Sequence, residues 1–140
     1  MTAEANKALA RRIYDEVING RNLDLLDEIV SPDFVEHESI PGLPSTGPEA
    51  PKAALGMFLA AFTDFRMTPE DMIAEGDKVA VRLTMSGTHT GELMGIPPTN
   101  KSFTVQGIDI LQVRDGRGVA HWGVTDMSAL MQQLGLAPEM

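Results

Sequence analysis

The sequence predicts an α+β domain, a curved antiparallel sheet with helices over its concave side. Three observations carry this. Apolar residues recur at helical spacing before residue 63 and again at the end of the chain. Between them, residues 66–125 alternate apolar and polar in four long runs. Gly-containing turn signals join those runs, and no repeat or linker interrupts residues 1–140, so one domain is expected.

Thr2 is placed to cap a first helix, with Glu4 in its first turn. Leu9, Ala10, Ile13, Tyr14 and Val17 form that helix's apolar face, and Gly20 in "NGRN" ends it. "LDLLDEIV" predicts a short second helix, broken by Pro32. Phe34 to Glu38 alternates like a short strand, and "PGLPSTGPEA" is a loop. A third helix follows, apolar along Ala54, Met57, Phe58, Ala61 and Phe62. The first long strand turns at Glu75–Gly76–Asp77 into a second, where Val79, Val81, Leu83 and Met85 share a face with Gly87 and His89. "ELMGIPPTNK" is a loop with an apolar tip. "SFTVQGIDILQV", the turn "RDGR" and "GVAHWGVTD" complete the sheet, and "MSALMQQLGL" is a closing helix with Asp126 at its N-cap.

Composition narrows the function. A net charge of −9 with no basic cluster argues against nucleic-acid and anionic-membrane partners. The chain has no cysteine, which excludes disulfides, thiolate catalysis and Cys-type zinc sites. "MTAEANKALARR" lacks an apolar signal core, and no run is long enough to span a membrane, so a soluble cytoplasmic protein is expected. A sheet curved under helices encloses a natural small-molecule pocket.

Within "GIDIL", Asp109 lies among large aliphatic residues. A carboxylate there must be solvated, paired or held protonated. Its surroundings depend on the turn at Arg114–Arg117, because one residue of register reverses the faces. A two-residue Asp115–Gly116 turn sets Asp109 opposite Trp122 and sends His121 to the other face. A three-residue loop pairs Val113 with Arg117, Leu111 with Val119 and Asp109 with His121. The second register gathers Val105, Leu111, Val113 and Val119 around an Asp–His pair, and is preferred here. Opposed residues approach to roughly 5 Å between β-carbons, so the pair would titrate jointly.

"GTHTGELMGIPPTNK", "GIDILQVRDG" and "HWGVTDMSALMQQLG" closely resemble the SnoaL-like polyketide cyclase (ester cyclase-like) family, and residues 6–38 resemble its N-terminal part. The resemblance implies the nuclear-transport-factor-2-like (NTF2-like, cystatin-like) cone. It also implies intramolecular aldol cyclisation of polyketides without metal or organic cofactor, using an aspartate acid/base with a histidine close by on the last strands. It leaves two places for that aspartate: Asp109, or the position of Gly123.

The acid/base role is assigned to Asp109 and His121, with Asp109 as base and His121 as its partner or as proton donor. Tyr14, His37, His89, Met57, Met85, Met94, Leu111 and Trp122 are the candidate substrate-binding residues, with "GELMGIPPT" as a lid. Ordinary roles stand beside these: Tyr14 as core packing, His37 as a strand-end residue, His89 as a loop cap, Trp122 as a packing or oligomer contact. The His and Asp residues lack the spacing of a known metal motif, so no metal is expected. The expected partners are a hydrophobic small molecule and a second copy of the chain, docked through Ile108, Ile110 and Trp122 on the outer sheet face. A non-enzymatic binding module, an epoxide hydrolase or a ketosteroid-type isomerase is the alternative on the same fold.

Overall fold

A computed structural model of the chain describes residues 2–38 and 40–136. Helix α1 (Ala3–Arg12) starts at Thr2, whose hydroxyl accepts the Ala5 N–H at 3.1 Å. The helix continues into a π-helical turn, Ile13–Ile18, closed by the Asn19 N–H donating to the Tyr14 carbonyl. Such a widened turn re-aims its side chains. Here Tyr14, Val17 and Ile18 are all buried. A 3₁₀ turn (Leu23–Leu25) leads into α2 (Leu26–Ile29), then β1 (Val30–Glu36) and α3 (Glu49–Ala61). A meander follows: β2 (Arg66–Glu75), β3 (Lys78–Thr88), β4 (Ser102–Arg114) and β5 (Arg117–Thr125). Helix α4 (Met127–Gln133) closes the chain, with the Asp126 carboxylate accepting the Ala129 N–H.

The sheet order is β1-β5-β4-β3-β2. The meander is antiparallel, as expected, but β1 pairs parallel with β5. The short strand also begins earlier than its alternation suggests, at Val30, and contains Pro32. Proline is tolerated because β1 is the last strand of the sheet and Pro32 falls in the irregular stretch between its paired residues Val30 and Val35; on its other side Val35 bridges Thr46.

The inward faces of β3 and β4 carry Val79, Val81, Leu83 and Met85, and Phe103, Val105, Leu111 and Val113, all buried. Against them pack α1 through Ala10, the π-helical turn through Tyr14 and Val17, α2 through Leu26 and Ile29, and the end of α3 through Ala61 with its C-cap Phe62. Asn19 ties the first helix to the sheet with paired hydrogen bonds to the backbone of Met67. These layers leave a cavity of about 340 Å³ between the helices and the sheet.

The β4–β5 hairpin differs from the preferred register. Arg114 pairs with Arg117, so the turn is the two-residue Asp115–Gly116, with positive φ at both positions (52° and 77°). That is the type I′ geometry for which Asp-Gly is suited. One residue later the register slips: Val113 faces Gly118, whereas Gln112 faces Ala120. Val119 is the extra residue of a β-bulge and leaves the inward face for a groove on the outer side of the sheet. The bulge undoes the face reversal that a two-residue turn would impose. His121 stands opposite Leu111 and Asp109 opposite Gly123, so both functional groups point inward as diagonal neighbours.

Candidate active site

Alternation along β4 turns Asp109 inward, and the bulge in β5 does the same for His121. Their side chains meet, His121 Nε2 lying 2.9 Å from Asp109 Oδ1. On the other side of the imidazole, Nδ1 lies 2.6 and 2.8 Å from the two carboxylate oxygens of Glu36. Tyr14 Oη donates to Asp109 Oδ2 at 2.7 Å from the π-helical turn. Glu36, His121, Asp109 and Tyr14 thus form one continuous chain of hydrogen bonds across the base of the cavity.

The parallel register of β1 explains why Glu36 is there. Glu36 pairs with His121, and the His37 N–H donates to the His121 carbonyl. Two residues further on, the Glu38 N–H donates to Glu36 Oε2 at 3.1 Å. Glu38 is at the cavity rim, and its carboxylate comes within 4.8 Å of the polar atoms of Asp109 and His121. Gly123 makes room for it: a β-carbon there would lie 2.7 Å from Glu38 Oε1 and 2.8 Å from Asp109 Oδ1. The alternative position for the family's aspartate therefore has no side chain, and the Glu38 carboxyl stands against it.

The charges follow from these contacts. Burial opposes a charge on His121, but its hydrogen bonds to Asp109 and Glu36, and their negative charge, outweigh that and raise its pKa to about 10. The ring is an imidazolium at neutral pH. Both of its nitrogens donate to carboxylates. Burial, then the Asp109 charge and hydrogen bond, keep Tyr14 a neutral phenol by raising it well above its ordinary range. Glu38 is raised mainly by burial of its carboxyl. The His121 charge opposes this, and the Asp109 and Glu36 charges reinforce it.

Away from this cluster the cavity is apolar. Met57, Met85 and Leu111 line it, and Met94 stands with Leu93 and Ile96 at the mouth. Met94 and Gly95 form a tight turn with positive φ at both residues, closed by mutual hydrogen bonds between Leu93 and Ile96. Met94 itself is 61% exposed.

Three of the candidate substrate-binding residues lie elsewhere. His89 continues the inward face of β3 but does not line the cavity; it is fully buried against Phe62. Its Nδ1 accepts the Thr99 N–H and meets the Thr99 hydroxyl, which fixes the following loop. His37 and Trp122 point to the outer side of the sheet, where their rings stack at 4.6 Å and Lys78 lies over the Trp122 ring. The physical reason is alternation: each is adjacent in sequence to an inward residue, Glu36 and His121 respectively. Glu36 and Glu38 join the site without being among the candidates named from the sequence. The signal for them was the same alternation, since Phe34, Glu36 and Glu38 are spaced by two along "FVEHE".

A curved sheet under helices, enclosing an apolar cavity with an acid/base cluster at its base, defines an NTF2-like protein with the means for proton-transfer chemistry. The SnoaL-like polyketide cyclase family pattern matches residues 8–134, and the chain belongs to that family. It is 30% identical over 118 residues to nogalonic acid methyl ester cyclase of Streptomyces nogalater, covering 84% of this chain and 88% of the relative. With aklanonic acid methyl ester cyclase DauD of Streptomyces sp. (strain C5) it shares 31% identity over 132 residues, covering 91% and 80%. Among solved structures, TsrD from Streptomyces laurentii superposes with a TM-score of 0.87 at 28% identity, covering 98% of this chain and 99% of that one.

Proposed function

We propose that the protein is a cofactor-independent acid/base catalyst that closes a ring in a hydrophobic carbonyl compound by intramolecular aldol addition. One observation carries this reading: the Asp109 carboxylate faces the apolar cavity, fixed by donors on both oxygens. A carbon between two carbonyls is acidic enough for a carboxylate base. His121 holds that base in place, since both imidazolium N–H groups are already engaged by carboxylates. Folding the substrate so that its reacting carbons meet falls to the apolar wall, which Met57 and Met85 make adaptable. The relatives named as methyl ester cyclases support an aromatic keto-acid methyl ester as the substrate class.

Incubation with aklanonic acid methyl ester, and with simpler 1,3-diketones in deuterium oxide, tests the reading. Ring closure and C–H exchange are expected from the wild type and lost in Asp109→Asn. Equal rates in the two proteins would end it. A homodimer through the outer sheet face belongs to the same proposal. Ile108 and Val124 are cross-strand neighbours there, and 54% and 75% exposed. Sedimentation of wild type and Ile108→Lys checks it, a monomeric wild type being the contrary result. Among the described residues no helix is long and apolar enough to cross a membrane.

A further inference from the structure

Aldol closure needs a proton donor as well as a base, and the polar groups around Asp109 can be taken in turn. His121 has given one N–H to Glu36 and the other to Asp109. Tyr14 has given its only O–H to Asp109. Thr125 lines the cavity, but an aliphatic alcohol is too weak an acid to surrender a proton here. His89 is sealed away beneath Phe62. Glu38 remains. Its carboxyl borders the cavity, within 4.8 Å of the polar atoms of Asp109 and His121, and accepts no hydrogen bond among the described residues.

We propose that Glu38 is the proton donor of this site, a second catalytic carboxyl that protonates the oxygen of the attacked carbonyl while Asp109 removes the carbon-bound proton. This rests on the cyclase reading above. The two carboxyls differ in the way such a division of labour requires. Asp109 accepts two donated hydrogen bonds, one on each oxygen, from the Tyr14 phenol and the His121 imidazolium. Glu38 is an exposed residue whose carboxyl accepts no hydrogen bond among the described residues; its partial burial at the rim raises its pKa, the His121 charge opposes this, and the Asp109 and Glu36 charges reinforce it. A carboxylate held by donors beside a second carboxyl with a raised pKa is a usual arrangement for paired acid and base work. A hydrophobic substrate filling the cavity strengthens the difference by excluding water from the rim.

The step balances without a co-reactant. Asp109 takes the proton as the C–H bond breaks, and the released electron pair forms the new C–C bond to the carbonyl carbon. The carbonyl π pair moves to oxygen, which takes the Glu38 proton and becomes a hydroxyl. Asp109 is left protonated and Glu38 ionised. Passing one proton from Asp109 to Glu38, directly or through water at the rim, restores the site.

The test separates the two half-reactions on a 1,3-diketone able to close a ring. Proton abstraction is read as deuterium exchange, and the complete reaction as ring closure. In Glu38→Gln, ring closure is expected to fall in kcat by about 100-fold or more, with exchange reduced less than about tenfold. Glu38→Asp, which keeps the acid on a shorter arm, should recover part of the closure. Gly123→Ala, whose methyl would press on both the Glu38 and Asp109 carboxyls, should instead lower closure and exchange together. Wild-type ring closure in Glu38→Gln, with Asp109→Asn inactive, overturns the donor role and leaves the base in place. Full activity in Asp109→Asn overturns the cyclase reading and the donor with it.

Discussion

Tyr14 and Asp109 are 95 residues apart in sequence and 2.7 Å apart in space, the phenol donating from the first helix to a carboxylate on β4. The contact joins the two layers of the fold at the point where the cavity becomes polar. It spends the tyrosine's only donor on one carboxylate oxygen, while His121 occupies the other. Tyr14→Phe keeps the ring and removes that donor. A loss of about 1–2 kcal/mol in denaturant unfolding is expected, with a moderate fall in ring closure and little change in substrate affinity. Unchanged stability and kcat would show that the bond contributes nothing.

Asp109→Asn keeps the shape and removes the charge. Ring closure and C–H exchange should both fall by about 10²–10⁴-fold, the range for a general base. The His121 pKa should fall as well, because Asp109 supplies both a hydrogen bond and a charge that raise it. Imidazole titration by NMR reads this independently of any substrate. An unaltered His121 titration would mean that the two groups are not coupled.

The pH dependence of stability follows from the same imidazole. Folding raises His121 from its ordinary 6.5 to about 10. The folded state therefore binds this proton more tightly than the unfolded one. The resulting stabilisation is complete below pH 6.5 and disappears as pH climbs through about 10. Unfolding free energy should decline over that interval by a few kcal/mol. In His121→Gln the decline should flatten. Urea titrations at a series of pH values check this, and an equal slope in the two proteins would exclude His121 as its source.

His89 is expected to matter for folding and not for chemistry. It is fully buried, accepts the Thr99 N–H at Nδ1 and packs against Phe62. His89→Ala leaves a cavity and an unpaired backbone donor, so a loss of about 2–4 kcal/mol is expected. Hydrogen exchange should accelerate across residues 90–101, while per-molecule activity of the folded variant stays within a few-fold of wild type. Selective loss of substrate affinity without loss of stability would return His89 to the binding site.

Much of this was present in the chain itself. Alternation in β3 and β4 settles which side chains face inward, Asp109 among them, because the strand repeat leaves each residue only two directions. Helical spacing turns Tyr14 toward the sheet, whereas the length of the β4–β5 turn departs from the expected one: Asp115–Gly116 forms a two-residue turn and not the preferred three-residue loop. The absence of cysteine removed a whole branch of chemistry. The family likeness reached the fold through ordered motifs along nearly the full length. It did not place the family's aspartate, since identity of motif does not settle which strand position faces a ligand.

Other features needed the assembled molecule. Nothing local marks Val119 as the bulged residue. The extra position is stabilised by how β5 lies between β4 and β1, and it alone keeps His121 on the inward side of a two-residue turn. The parallel docking of β1 is likewise non-local, joining segments separated by the whole meander. That docking brings Glu36 to the imidazole and Glu38 to the notch at Gly123. Side-chain periodicity is a property of each strand alone, whereas strand registry is decided by which partners the finished sheet supplies.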